Sequence, residues 1–136
     1  MFKNEKGGAL IEAVITLPLL VIMFTLFVVV LDAFHARFVV TDAAREAVRY
    51  YAIHGDEDEA ETLKKSVMED GGLSLEALNE DKSGFVEDGD YVTAYVTYDY
   101  PVVFTGGTGF VMEEGILDDE LSMMERATFK IDYDEE

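Results

Sequence analysis

Nineteen consecutive residues, Ala13 to Leu31, carry no charge, and the spacing of apolar positions changes twice after them. At 1.5 Å per helical residue this run covers roughly 28 Å, close to a hydrocarbon thickness of about 30 Å. It predicts a transmembrane helix over about 12–31. A secretory signal peptide would have an apolar stretch of roughly 7 to 15 residues ending at a small-residue cleavage site. Here helical character continues instead through Asp32-Ala33-Phe34-His35-Ala36-Arg37. Beyond the span Ala33, Ala36, Val40, Ala43, Ala47, Tyr50 and His54 recur at spacings of three and four. The two segments predict one rod from Gly8 to His54, about 70 Å long, with Gly55 as its C-cap.

The recurring positions make a heptad seam of mostly small side chains, which lets a second helix approach closely. Ala33, Ala36, Val40, Ala43, Ala47 and Tyr50 are therefore candidates for packing between subunits. Packing on the chain's own C-terminal region explains the same pattern, and both readings stay open. Asp42/Arg45 and Glu46/Arg49 are spaced for i,i+3 pairing, whereas Arg45/Arg49 is a like-charge pair. Pro18 removes the hydrogen bond to the Val14 carbonyl, so local melting or a kink is expected over Thr16–Leu19.

After Gly55 the acids Asp56-Glu57-Asp58-Glu59 open a short helix with apolar positions Ala60, Leu63, Val67 and Met68. Gly71-Gly72 ends it, and Ser74 is placed to cap a turn through Leu75, Ala77 and Leu78. From Asp90 the period becomes two: Val92, Ala94, Val96 and Tyr98 alternate with Tyr91, Thr93, Tyr95 and Thr97. Pro101 limits where that strand can end. A second strand over Glu125–Tyr133 puts Ala127, Phe129, Ile131 and Tyr133 on one face and should pair antiparallel with the first. Met123 and Met124 are read as core filler in the connection. The fold class is α+β: a long N-terminal transmembrane helix, then a small domain with a short helix and an antiparallel sheet.

Charge sharpens this division. Of 29 acids and 10 bases, five of each lie in Met1–His54 and the remaining 24 acids and five bases lie beyond it, so the net −19 belongs to residues 55–136. A domain so acidic repels nucleic acid and anionic headgroups. Without cysteine there is neither a disulfide framework nor a thiolate metal site. The acid runs do not match a calcium loop, and Gly106-Gly107-Thr108-Gly109 lacks the lysine of a phosphate loop, so no metal or cofactor is expected. His35 and His54 stand about 28 Å apart along the rod and cannot share a site. No nucleophile motif is present, which argues against an enzyme and against a small-molecule substrate.

Three tracts carry a family resemblance: Lys6-Gly7-Gly8-Ala9-Leu10-Ile11-Glu12, Leu17-Pro18-Leu19-Leu20, and Ala43-Ala44-Arg45-Glu46-Ala47-Val48-Arg49-Tyr50. Together they resemble the TadE-like family, small pilin-like proteins or pseudopilins of the tight-adherence (Tad) pilus system. The resemblance implies a leader over residues 1–7, removed by a prepilin peptidase at the cytoplasmic face by cleavage between Gly7 and Gly8. Glu12 then becomes the fifth residue of the mature chain. Ala13 stands where the family usually carries an aromatic residue. The resemblance also implies residence in the cytoplasmic (inner) membrane with the N-terminus inside and residues 55–136 extracytoplasmic. Its expected partners are the peptidase, other pilin-like subunits and the Tad machinery. From the residues alone, a membrane-tethered extracytoplasmic binding module is the alternative to a structural or assembly subunit of a pilus or secretion apparatus.

Overall fold

The structure, a computed structural model, describes residues 5–101 and 120–132. Helix α1 runs Glu5–His54 without a break. The rod of about 75 Å that its 50 residues make has both expected segments in register. Thr16–Leu19 stay helical, so the melting expected at Pro18 does not occur. One missing hydrogen bond is outweighed where helix continues on both sides and an apolar surround offers the backbone no better partner. The helix ends as expected at Gly55, whose φ of 68° suits glycine and whose N–H donates to the Tyr51 carbonyl at 2.8 Å.

Helix α2, Glu57–Asp70, then turns back along α1. Asp56 caps it by accepting from the Glu59 N–H, and Glu57, Asp58 and Glu59 fill the first turn. At its far end α2 meets α1 so closely that a Cβ on Gly71 would lie 2.3 Å from a Val39 methyl. The His35 Nε2 lies 3.0 Å from the Gly71 carbonyl, a contact that requires the N–H at Nε2. Ser74 caps the short turn Leu75–Ala77, as its position in the sequence predicts.

Three antiparallel strands follow: β1 (Gly84–Asp88), β2 (Tyr91–Pro101) and β3 (Glu120–Lys130), in the order β1-β2-β3. The β1–β2 hairpin is not foreshadowed by the sequence pattern. Asp88 faces Tyr91 across a two-residue loop, Gly89-Asp90, with Gly89 at a φ of 60°. β3 begins earlier than expected, so Met123 and Met124 belong to the strand and not to the connection. Gly106-Gly107-Thr108-Gly109 and Tyr133 fall outside the described residues.

Opposite residues in an antiparallel pair point the same way, and the register sets Val92 against Phe129, Ala94 against Ala127 and Val96 against Glu125. The face so defined lies on α1. Val40, Ala43 and Ala44 pack with Met68, Leu78, Val96 and Tyr98, and one turn further up Val48 and Ala52 pack with Val92 and Ala94. Thr97 is buried although it points to the opposite face, because Asn79–Ser83 crosses there. Its hydroxyl donates to the Lys82 carbonyl, and its N–H donates to the Ser83 hydroxyl. At the top of the sheet the Asp132 N–H donates to the Ala52 carbonyl at 2.8 Å, satisfying one of the last carbonyls of α1.

Candidate functional site

The described residues divide α1 into two halves with opposite surroundings. From Ala36 upward the helix is the centre of the core, with Ala36, Val40, Ala43, Ala44, Ala47 and Val48 buried. Below Leu31 none of the apolar stretch is buried by the protein. Leu10, Ile11, Val14, Ile15 and Leu17 are all about two-thirds exposed, and Phe24 and Phe27 similarly so. Leaving such side chains in water costs roughly 1.5 to 3 kcal/mol each, tens of kcal/mol over the whole run. A bilayer, or a sheath of other helices, is the environment this half requires.

Glu12 stands exposed near the start of that apolar run, and Gly8 one turn before it. A carboxylate on a helix entering hydrocarbon costs roughly 2.5 to 3.5 kcal/mol at full depth and less near the interface, so a cation at equal depth would stabilise it. Gly7 and Gly8 lie within the first turns of α1 and Pro18 lies within its exposed stretch. These residues share one helix, and among the described residues none of them is buried.

The small-residue seam is turned inward. Ala36, Val40, Ala43 and Ala47 have almost no surface left, Ala33 and Tyr50 are half-buried, and the Tyr50 hydroxyl donates to Glu59 of α2. The small side chains admit the chain's own α2 and sheet, which is the second of the two readings the spacing allowed.

Two polar clamps close the domain onto α1 just above the span. Tyr100 donates to Asp32, and the Arg37 Nε donates to Glu125 at 2.7 Å. Burial, reinforced by the bond to Asp32, pushes the Tyr100 hydroxyl up to about 12. Between the clamps a groove of about 490 Å³ is lined by Val30, Ala33 and Phe34 of α1 and by Met123 and Met124 of β3. Met124, 60% exposed, is surface and not core filler. Nothing in the sequence pattern indicated this junction, because its two sides are about ninety residues apart.

A second recess, of about 670 Å³, carries Glu76, Glu80, Asp81 and Asp99 on its rim. The Lys65 ammonium holds the Glu80 carboxyl below the usual carboxylate range through a 2.7 Å contact. Among the described residues no group of three or more histidine, cysteine or carboxylate side chains is placed to hold a metal ion.

A single apolar helix, bare below and forming the core above, with a small sheet laid against its upper half, defines an α+β protein whose one long helix is apolar enough to be a candidate membrane span. The helix is TadE-like: the family model described as TadE-like protein matches residues 7–49, within α1. No curated protein and no solved structure matches the chain significantly.

Proposed function

We propose that the chain is a pilin-like structural or assembly subunit of a Tad-type pilus or secretion apparatus, processed by a prepilin peptidase and acting by helix packing. The observation that carries this reading is Glu12, exposed at the head of a bare apolar helix inside the TadE-like segment. Cleavage between Gly7 and Gly8 would create an ammonium on Gly8, one helical turn and roughly 6 Å along the axis from Glu12. That cation can relieve the carboxylate on the same helix or on a neighbouring subunit, fixing the depth at which two spans pair. The scissile bond lies where α1 is weakest, since each glycine costs about 1 kcal/mol relative to alanine and first turns fray. Orientation with the N-terminus in the cytoplasm follows from the same processing step, with residues 55–136 outside.

Intact-mass measurement of membrane-extracted protein tests processing: loss of residues 1–7 is expected, and full-length mass alone refutes it. Glu12→Gln tests pairing. Its content in sheared filaments should fall at least about ten-fold, the effect of ~1.4 kcal/mol of lost interaction, while its amount in the membrane stays constant. Unchanged incorporation would count against a pairing role for Glu12. A tethered binding module is the second reading, favoured by the carboxylate-rimmed recess at Glu76, Glu80, Asp81 and Asp99. Such a protein would stay in the membrane and be missing from filaments.

A further inference from the structure

We infer that the outward face of α1 above the membrane, at Arg45 and Arg49, docks against the first turn of α2 in a second copy of this chain, at Glu57 and Asp58. The inference rests on the membrane-anchored reading of α1, not on incorporation into a filament.

At 100° per residue Phe38, Arg45 and Arg49 fall on one row of α1, opposite the row of Ala36, Val40, Ala43 and Ala47 that the core consumes. Phe38 is 70% exposed and both arginines are exposed. Among the described residues neither guanidinium has a hydrogen bond or an ion pair, although Asp42 and Glu46 stand three residues before them. Two like charges four residues apart repel each other along the helix, so the row is unfavourable in isolation and improved by an anionic partner.

The chain itself supplies that partner. Beyond His54 acids outnumber bases by 24 to five. Two of the four acids that open α2 are already engaged, since Asp56 caps the helix and Glu59 accepts from Tyr50. The Glu57 and Asp58 carboxylates are exposed and make no hydrogen bond or ion pair among the described residues. The Tyr50–Glu59 bond also sets their height, for it holds the first turn of α2 beside the last turns of α1. Two copies with parallel spans at equal depth therefore bring Arg49 level with the neighbour's Glu57 and Asp58 with no vertical shift.

A lipid partner does not fit this height. Arg45 and Arg49 lie about 21 Å and 27 Å beyond Leu31 along the axis. The headgroup layer reaches only about 5 to 8 Å past the hydrocarbon. The basic row faces away from the core while the first turn of α2 packs on the Tyr50 side of α1, so the two patches face different directions and the contact is heterologous: each copy donates one patch and accepts through the other, so the contact can repeat along an array. It also offsets the repulsion between neighbours of net charge −19.

The test uses full-length protein in membranes, with isotope-labelled and unlabelled copies mixed. R49K keeps the charge and allows a carbodiimide to join the new amine to a touching carboxylate. Mass spectrometry should find position 49 of one copy joined to Glu57 or Asp58 of the other. In the R49K background, R45E should lower the yield of this cross-link at least about five-fold, in line with like charges meeting across a contact. R45E/R49E and E57K/D58K each lack an amine–carboxylate pair at the contact and give no such cross-link alone, whereas mixing the two should join position 49 of one copy to position 57 or 58 of the other, which also shows that both remain folded. Unchanged yield in R45E/R49K, no cross-link on mixing R45E/R49E with E57K/D58K, or a cross-link to a different protein would overturn the inference. Cross-linking in membranes reads this contact whether or not filaments form, so its failure is distinct from absence from filaments.

Discussion

Lys64 is 2% exposed in α2 and is held by Glu61 one turn earlier, with the ammonium 2.6 Å from the carboxylate. A lysine removed from water depends on such a partner, whereas an apolar side chain of the same length does not. Glu61→Gln should therefore destabilise the domain by about 1 to 3 kcal/mol, and Lys64→Met should be neutral or stabilising, measured by chemical denaturation in detergent. The opposite order would show that the pair is needed for more than compensation. Tyr100 supplies a pH signature. Its pKa of about 12, against 10.0 for an ordinary tyrosine, means that the folded state favours the neutral phenol. Its contribution is complete below pH 10 and is lost as the pH rises from there to about 12. Asp32→Asn should lower the Tyr100 pKa without returning it to the ordinary value, because burial is the larger cause. Ultraviolet titration against a Tyr100→Phe control reads this directly.

Gly71 marks the closest approach of α2 to α1. Gly71→Ala would place its Cβ 2.3 Å from one Val39 methyl and 2.7 Å from the other, so overpacking should cost about 1 to 3 kcal/mol. Val39→Ala in the same chain should recover much of that loss, and thermal melts of the single and double variants measure the coupling. Other elements are legible in the sequence itself. The seam at spacings of three and four predicts α1, and the period of two over Val92–Tyr98 predicts β2. Gly55 and Ser74 sit where capping chemistry puts them. β1 is hidden because only Phe85 and Val86 are apolar in its five residues, and its outer half is exposed. The start of β3 is hidden because Glu125 on its inner face breaks the apolar alternation, and only the salt bridge to Arg37 explains it. Burial of Lys64 is equally unreadable, since a helical period does not say how wide a face will be covered.

For the whole molecule, what can be read is the apolar span, the acidic head and the TadE-like tract. Which face of α1 stays open cannot, because small residues at heptad spacing suit an internal neighbour and an external one alike. Concentrating charge in residues 55–136 has a measurable consequence. Raising salt from about 10 mM to about 150 mM shortens the Debye length from roughly 30 Å to roughly 8 Å, so the unfolding midpoint in neutral detergent should rise. A midpoint that falls would mean that the ion pairs at Lys64, Lys65 and Arg37 outweigh the self-repulsion. Helix α1 passes from the bare stretch into the core without a hinge. The head is consequently cantilevered on its own anchor: any lean or axial spin of the span is copied by the sheet. A pull along the rod must travel straight through the residues on which the head is folded.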